Sequence, residues 1–277
     1  MKKIGFVDYY LSEWHANNYP AWISELGRDY TVAYAWAEKD ISPRDGVSTA
    51  EWCEKMQVTP CSSIEELCEK SDAIVILAPT DPDRHLPYAQ KVFPFGKPTY
   101  VDKTFAPSEA EAREIVALSD KYGTPFFSTS ALRYSSELKC IENPCAMMTA
   151  AGGRDPIEYV IHPLEMVAVA LGTDFEWVRA DAVGAEKTWH ISYPDGRYAT
   201  VLFARTMPNL LFLADRDGNE KYTDITSPFF KTLMGEILDL FDGKAPSVLP
   251  SEILGVMRLR DAALKALSVP GEKVFPA

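Results

Sequence analysis

The chain has 277 residues, of which 47% are hydrophobic and 25% charged, a composition typical of a soluble globular protein with one or two cores. Its formal net charge of −12 argues against nucleic acid or an anionic membrane as a partner, since both attract basic surfaces. No apolar run is long enough to span a bilayer, and the first residues lack the pattern of a signal peptide, so we expect a cytoplasmic protein.

Cysteine usage gives no support for a disulfide-rich or zinc-binding fold. The chain has five cysteines, an odd number, and none of them forms a C-x-x-C pair. This pattern is typical of free thiols in a reducing compartment. We therefore expect all five cysteines to be free.

The first half of the chain alternates predicted strands and helices. Short apolar runs predict strands at "KKIGFV", "YTVAYAW", "AIVILAP", "KPTYVD" and "TPFFSTS". The clearest of the intervening helices is "SEAEAREIVALSDKYG", where Ser108 and Glu111 fit a capping box and Gly123 fits a C-terminal cap. Because strands that alternate with helices pair in parallel, residues 1–127 are predicted to form a Rossmann-like, doubly wound α/β domain.

The second half changes character. "EYVIHPLEMVAVALG" predicts a buried helix that Gly172 ends, and strands follow at "WVRADAVG", "KTWHISY", "YATVLFART" and "NLLFLADR". The Asp-Gly pairs in "PDGR" and "RDGNE" are typical of hairpin turns. Two more helices end the chain. Residues 128–277 are therefore predicted to form an α+β domain with an open, mostly antiparallel sheet.

Residues at four places along the chain together resemble a known family. They comprise two strand ends in the first half, a pair after its last strand, and an acid–His–acid pattern on the first helix of the second half. In this order they resemble the Gfo/Idh/MocA oxidoreductases, which carry Glu-Lys-Pro at the corresponding strand end and Asp-x-x-x-His-x-x-Asp on the corresponding helix. The residues here are Pro79-Thr80 with His85, Asp102-Lys103-Thr104, Arg133-Tyr134, and Glu158, His162 and Glu165.

The resemblance implies an oxidoreductase that uses NAD or NADP and acts on a sugar, a polyol or a related hydroxy compound. In this role Lys103 orients the reacting hydroxyl and His162 accepts its proton. The resemblance also implies a homodimer or homotetramer formed through the sheet of the second domain. The residues implied in substrate binding are Glu158, Glu165, Arg133 and Tyr134. Those implied in cofactor binding are Asp8, Tyr9, Tyr10, Trp36, Pro79, Thr80, His85 and Asp102.

The residues themselves leave simpler roles open. Ligands of a doubly wound sheet bind outside the carboxyl ends of its strands, where Lys103 lies, but Lys103 also fits a surface salt bridge with Asp102. His162 fits a general base, and equally a buried histidine bonded to the backbone. Arg133-Tyr134 fits a structural contact between domains, and His85 fits an exposed helix position. We predict no metal on the acid–His–acid helix, because a metal site needs more ligands than these three residues supply.

The glycines that bind a dinucleotide are missing. The Gly-x-Gly-x-x-Gly fingerprint makes a tight turn, admits the pyrophosphate and lets the helix pack on the strand. Counted from Gly5, its three positions hold Asp8, Tyr10 and Glu13, and both acids add negative charge where phosphate normally binds. The second strand has Trp36 where an acidic residue often binds the adenosine ribose, and Glu38 follows two residues later.

Alternative functions therefore stay open beside the NAD(P)-dependent oxidoreductase. One is a carbohydrate-binding or regulatory protein that keeps the fold but has lost or altered its cofactor site. Another is a non-redox lyase or epimerase that uses the same Lys103–His162 pair. A purely structural role in oligomerisation is a further alternative.

Overall fold

The computed structural model describes residues 1–276. The chain forms two compact units: residues 1–129 with 230–250, and residues 130–229 with those from 251 onward. The predicted domains, 1–127 and 128–277, are contiguous segments and stay a prediction. The compact units differ from them in that residues 230–250 return to the first unit.

The first unit contains a parallel six-stranded sheet in the order β3-β2-β1-β4-β5-β6. The chain therefore runs from β1 outward to β3, crosses back, and fills the other side of the sheet with β4 to β6. This confirms the predicted doubly wound sheet, and it puts the topological switch point between β1 and β4. The strands are β1 (Lys2–Asp8), β2 (Tyr30–Ala37), β3 (Thr59–Pro60), β4 (Ala73–Ile76), β5 (Thr99–Val101) and β6 (Phe126–Phe127).

Helices connect these parallel strands. The predicted ends of the helix after β5 are confirmed: Ser108 accepts a hydrogen bond from the backbone of Glu111, and Gly123 closes the helix in the left-handed conformation. Gly5 has a packing role in β1, because a Cβ atom there would lie 2.4 Å from the side chain of Leu67 on α3. The helices are α1 (Trp14–Glu25), α2 (Thr49–Met56), α3 (Ile64–Lys70), α4 (His85–Val92) and α5 (Glu109–Tyr122).

The second unit contains a seven-stranded sheet in the order β12-β11-β7-β10-β9-β8-β13. Its neighbours pair antiparallel except β7 and β10, which pair in parallel, so the predicted open and mostly antiparallel sheet is confirmed. The strands are β7 (Ala146–Ala151), β8 (Trp177–Val183), β9 (Glu186–Ser192), β10 (Tyr198–Phe203), β11 (Leu210–Ala214), β12 (Glu220–Asp224) and β13 (Lys273–Val274). Strand β7, an interior strand of this sheet, lies in "CAMMTAA", whose alanines and methionines do not predict a strand.

One face of this sheet is buried against helices. The indole Nε1 of Trp189 on β9 donates to the carbonyl oxygen of Ala263 at 2.9 Å, which fastens the last long helix to the sheet. The predicted helix before Gly172 is divided in two, because Pro163 has no N–H to donate to the preceding turn. The remaining helices are α6 (Pro156–Tyr159), α7 (Ile161–Leu171), α8 (Phe229–Phe241) and α9 (Pro250–Ser268).

Three of the cysteines are buried, and all five are free, as predicted. Burial raises the pKa of the Cys53 thiol to about 11 and that of Cys68 to about 12, so both stay protonated at neutral pH. Within residues 1–276, no helix has the length and apolar character needed to cross a membrane.

Candidate functional site

Asp8 lies at the end of β1, beside the switch point, and its carboxyl is tied to the backbone of two strand ends. Its Oδ1 accepts hydrogen bonds from the N–H groups of Tyr9 at 2.7 Å and of Ala78, just after β4, at 2.9 Å. The other oxygen, Oδ2, is buried and has no hydrogen-bond partner within residues 1–276. Burial raises the pKa of Asp8 well above its usual value, and the nearby carboxylate of Glu13 raises it further.

Glu13 caps the helix that follows β1. Its carboxylate accepts hydrogen bonds from the N–H groups of His15, at 2.7 Å, and of Ala16. The side chain is 3% exposed. These N–H groups have no partner inside the helix, and they are the donors that an anion takes at a helix N-terminus. The chain's own carboxylate therefore fills the anion position of α1.

Asp102 joins this cluster from the end of β5. Its carboxylate accepts hydrogen bonds from the hydroxyls of Tyr19 at 3.1 Å and Tyr100 at 3.3 Å. His15 Nδ1 lies 3.7 Å from Asp102 Oδ2 and 3.3 Å from Glu13 Oε2, and Lys103 Nζ lies 4.0 Å from the same Asp102 oxygen. We call Asp8, Glu13, His15, Asp102 and Lys103 the strand-end cluster.

Lys103 is not the surface residue that one interpretation of the sequence allows, because only 10% of its side chain is exposed. Its ammonium donates to the carbonyl oxygen of Pro79 at 2.9 Å, and a cis peptide bond to Thr104 follows it. The predicted residues Pro79, Asp102 and Lys103 are therefore adjacent, at the ends of β4 and β5. An ammonium at this strand end can donate to a ligand hydroxyl.

The dinucleotide implied by the resemblance does not fit this turn. Its pyrophosphate would need the N–H groups that Asp8 and Glu13 already occupy. Two like charges about 4 Å apart repel by about 4 kcal/mol at an effective dielectric constant of 20, and a pyrophosphate carries two charges. With acids in two of the three fingerprint positions, the first unit cannot hold a pyrophosphate at this place without displacing Glu13.

The exposed helix position that the sequence leaves open for His85 is wrong. His85 is fully buried, and its ring contacts two backbone carbonyl oxygens. Nδ1 lies 3.0 Å from the oxygen of Phe105, and Nε2 lies 2.5 Å from the oxygen of Leu77. Burial lowers its pKa, although both carbonyl contacts act in the opposite direction. Both ring nitrogens contact backbone carbonyl groups, and the cofactor role of His85 stays a prediction.

The predicted cofactor residues Tyr10, Trp36 and Thr80 lie near the ends of β1, β2 and β4. Thr80 donates to Asp81 at 2.8 Å, and Tyr10 is half-buried. Trp36 on β2 is half-buried and contacts Tyr88 edge to face, with ring centroids 5.8 Å apart. These contacts give Trp36 a packing role.

In the second unit, His162 on α7 contacts Ser130. The imidazole Nδ1 lies 2.7 Å from Ser130 Oγ, and this oxygen also accepts a hydrogen bond from the N–H of Leu132 at 3.3 Å. The contact orients the ring, and an imidazole is a side chain suited to general base catalysis. His162 is half-buried, and its ring contacts that of Tyr159 at 5.6 Å.

Arg133 binds two of the acidic residues around it. Its Nε lies 2.8 Å from Glu165 and its terminal nitrogen 2.6 Å from Glu252. Burial opposes the charge of the guanidinium, but the two carboxylates outweigh burial and hold its pKa above the usual value. Glu165 also accepts a hydrogen bond from the N–H of Ser130 at 3.3 Å. Ser130 therefore contacts both the ion pair of Arg133 and the imidazole of His162.

The predicted acid–His–acid pattern is divided between two helices. Glu165 and His162 both lie on α7, whereas Glu158 lies on the separate short helix α6. Tyr134 is half-buried next to Arg133 in a single helical turn. In the part of the chain that the structure describes, no three His, Cys, Asp or Glu side chains are arranged to hold a metal ion.

The fold is shared with solved oxidoreductases. No model of a known protein family matches the chain, and no curated protein matches it in sequence. Among solved structures, a probable dehydrogenase from Thermotoga maritima superimposes with a TM-score of 0.80 at 14% identity, over 99% of this chain and 98% of the other. The fold is that of a Rossmann-type dehydrogenase.

Two further solved structures show the same fold. GenD2 from gentamicin A biosynthesis, solved in complex with NAD, has a TM-score of 0.78 at 12% identity and covers 100% of this chain and 97% of its own. UDP-N-acetylglucosamine 3-dehydrogenase GnnA from Acidithiobacillus ferrooxidans has a TM-score of 0.74 at 14% identity, with 97% of each chain covered. At these identities the likeness establishes the fold of the chain.

Several residues that contact the predicted site residues in the two units have no role implied by the resemblance. Glu13 marks a lost glycine in the sequence, but only the structure shows that its carboxylate takes over the helix terminus. Ser130 could be suspected from its place at the end of the last strand predicted in the first half of the chain. Glu252 carries no signal, since it lies 119 residues from its partner Arg133.

Proposed function

We propose that this chain is an enzyme that transfers a proton in a sugar or a related hydroxy compound, with His162 as the proton acceptor and no dinucleotide step. The observation that carries the proposal is the 2.7 Å contact between Ser130 Oγ and His162 Nδ1, which orients the imidazole that acts as the base. The absence of a dinucleotide step follows from the misfit of a pyrophosphate beside Asp8 and Glu13.

The reaction that suits this base is an epimerisation or an elimination. His162 takes a proton from a carbon next to a carbonyl or carboxyl group of the substrate, and the electron pair moves toward that group. The proton then returns to the carbon, or to a departing hydroxyl that leaves as water. On the same resemblance we propose that Lys103 orients a substrate hydroxyl and that Arg133, Tyr134, Glu158 and Glu165 contribute to substrate binding.

The test is solvent exchange in deuterated water. A panel of keto sugars and sugar acids is incubated with the protein, and deuterium incorporation is followed by NMR or mass spectrometry. We expect His162→Ala to slow exchange by about a hundredfold or more. His190→Ala, a half-buried histidine on β9 of the same unit, is the matched control and should leave exchange unchanged. Equal exchange by wild type and His162→Ala would contradict the proposal.

An NAD(P)-dependent dehydrogenase is the second candidate. The observation in its favour is the fold shared with a probable dehydrogenase and with GenD2, which was solved in complex with NAD. Calorimetric titration with NAD(H) and NADP(H) separates the two candidates. Saturable binding, followed by reduction of the cofactor with a polyol or sugar, would establish the second candidate, and no binding at millimolar cofactor would remove it.

We further propose that the chain forms a homodimer or homotetramer through the outer face of the second sheet. This face carries apolar side chains that are exposed or half-buried, including Met148, Leu202, Phe212 and Tyr222. Exposed apolar patches of this kind often mark protein interfaces. Light scattering tests the proposal: a monomer at micromolar concentration would contradict it.

A further inference from the structure

The turn that follows β2 is occupied in the same way as the turn that follows β1. In dinucleotide-binding folds the adenosine lies at the end of the second strand, where an acidic residue binds its ribose. Here Glu38 follows β2, but its carboxylate accepts a hydrogen bond from Tyr88 at 2.9 Å and pairs with Arg84 at 3.1 Å. The acid nearest to a ribose position is therefore already bound within the chain.

Tyr9 covers the same place. Its ring lies 4.7 Å from Lys39 Nζ and 4.8 Å from the guanidinium carbon of Arg84, both at cation–π distance. The backbone joins the two turns as well, since the N–H of Lys39 donates to the carbonyl oxygen of Tyr9 at 2.8 Å. Tyr9 and its two cationic neighbours thus form a layer over the end of β2.

We propose that the first unit carries its own replacement for a dinucleotide. Asp8 and Glu13 take the backbone donors of the pyrophosphate position, while Tyr9 with Glu38, Arg84 and Lys39 takes the adenosine position. Each contact belongs to the first unit, and the inference uses neither His162 nor any substrate. A protein that binds no dinucleotide and shows no His162-dependent exchange would contradict the proposed function and leave this inference intact.

The replacement explains why the fold persists without the glycine fingerprint. The N–H groups that open α1 need an acceptor, and Glu13 supplies it permanently. Removal of this carboxylate opens a helix terminus that an external anion can fill. The Glu13→Gly variant restores the glycine of the third fingerprint position, and glycine is tolerated at an N-cap, so this variant is suited to the test.

The experiment measures melting temperature and calorimetric binding. We expect millimolar NAD, NADP, ADP-ribose or pyrophosphate to leave the wild-type melting temperature unchanged. Glu13→Gly should melt at a lower temperature than the wild type, and millimolar pyrophosphate should raise it again. Glu25→Gly, an exposed acid at the other end of α1, is the control and should not respond to pyrophosphate.

Three outcomes would overturn the inference. The first is saturable binding of NAD or NADP to the wild type that ADP-ribose competes away. The second is a Glu13→Gly variant that melts like the wild type. The third is a destabilised Glu13→Gly that pyrophosphate rescues neither alone nor combined with Asp8→Asn, which removes the neighbouring acid. Should Glu13→Gly not fold, the wild-type titration with NAD, NADP and ADP-ribose decides.

Discussion

Glu165 in the second unit and Asp8 in the first are both buried carboxyl groups, and the groups that surround them differ in kind. Glu165 faces the guanidinium of Arg133 at 2.8 Å, whose second partner is Glu252. Asp8 accepts hydrogen bonds from backbone N–H groups, and after burial the groups that raise its pKa are the acids Glu13 and Asp102. One unit buries an ion pair, whereas the other buries an acid that is held toward its neutral form.

The difference shows two ways to satisfy a buried carboxyl group. An ion pair keeps both charges but fails when one partner is removed, because the other is left buried without compensation. A carboxyl held by backbone N–H groups beside other acids avoids this dependence on a single partner, and in exchange its stability depends on pH. The two groups should therefore respond to different perturbations.

The largest effect is expected from Arg133→Met in the second unit. It leaves Glu165 buried without its cation, which typically costs about 3–5 kcal/mol of unfolding free energy. Urea unfolding of wild type and variant measures this loss. Arg113→Met removes an exposed pair with Glu109 on α5 and, as the control, should cost no more than about 0.5 kcal/mol.

Arg133→Lys is a milder second variant that tests the same ion pairs if Arg133→Met does not fold. Lysine keeps one positive charge beside Glu165 but cannot bind Glu165 and Glu252 through the planar fork of a guanidinium. We expect a loss smaller than that of Arg133→Met. An unchanged unfolding free energy in both variants would show that the ion pairs contribute nothing to stability.

The sequence predicts most of the fold because each main element carries its own local signal. Alternation of strands and helices gives the first sheet, and Asp-Gly turns give the hairpins of the second. The strands it misses are two-residue edges such as Thr59–Pro60, or segments such as Ala146–Ala151 that are strands because of their neighbours. Their pairing is set by tertiary contacts, to which intrinsic strand propensity contributes little.

The candidate site is predictable only as far as strand ends can be located. Lys103 and Asp102 follow from that rule, since carboxyl ends of parallel strands meet at one edge. The role of Glu13 does not follow, because a missing glycine shows that phosphate is disfavoured and says nothing of what replaces it. The pairing of Arg133 with Glu252 cannot be predicted for another reason: Glu252 lies on a helix far along the chain and belongs to no motif.

A smaller effect is expected at Glu137, whose carboxylate accepts hydrogen bonds from hydroxyl and backbone N–H groups. Burial opposes its charge, but hydrogen bonds from Ser227 and Thr226 outweigh burial and lower its pKa to about 2. Its contribution is present above the unfolded pKa and is lost as pH falls through about 2. Glu137→Gln should cost about 1–2 kcal/mol at pH 7 and flatten this acid limb in urea unfolding.

The exposed Glu142, five residues further along, is the control for Glu137. Glu142→Gln should leave both the unfolding free energy and its acid limb as in the wild type. An acid limb equally steep in wild type and Glu137→Gln would show that the Ser227 and Thr226 contacts do not stabilise the charged form.

The smallest effect is expected from Asp8→Asn at a pH near the unfolded pKa of the carboxyl, because the amide resembles a protonated carboxyl in shape. The pKa of Asp8 is raised in the folded state by burial and by Glu13, so its contribution is complete below the unfolded pKa and is lost as pH rises through the folded pKa. The unfolding free energy of the wild type should therefore fall relative to that of Asp8→Asn as pH rises. Urea unfolding at several pH values above the unfolded pKa measures the difference.

Asp120→Asn, an exposed substitution on α5 of the same unit, supplies the control and should run parallel to the wild type across this range. A difference between wild type and Asp8→Asn that is constant with pH would mean that Asp8 is charged in the folded protein. In that case Asp8, Glu13 and Asp102 would need more positive charge than His15 and Lys103 supply. The pH slope of this one substitution therefore decides how the strand-end cluster balances its charge, and with it whether a further anion can enter.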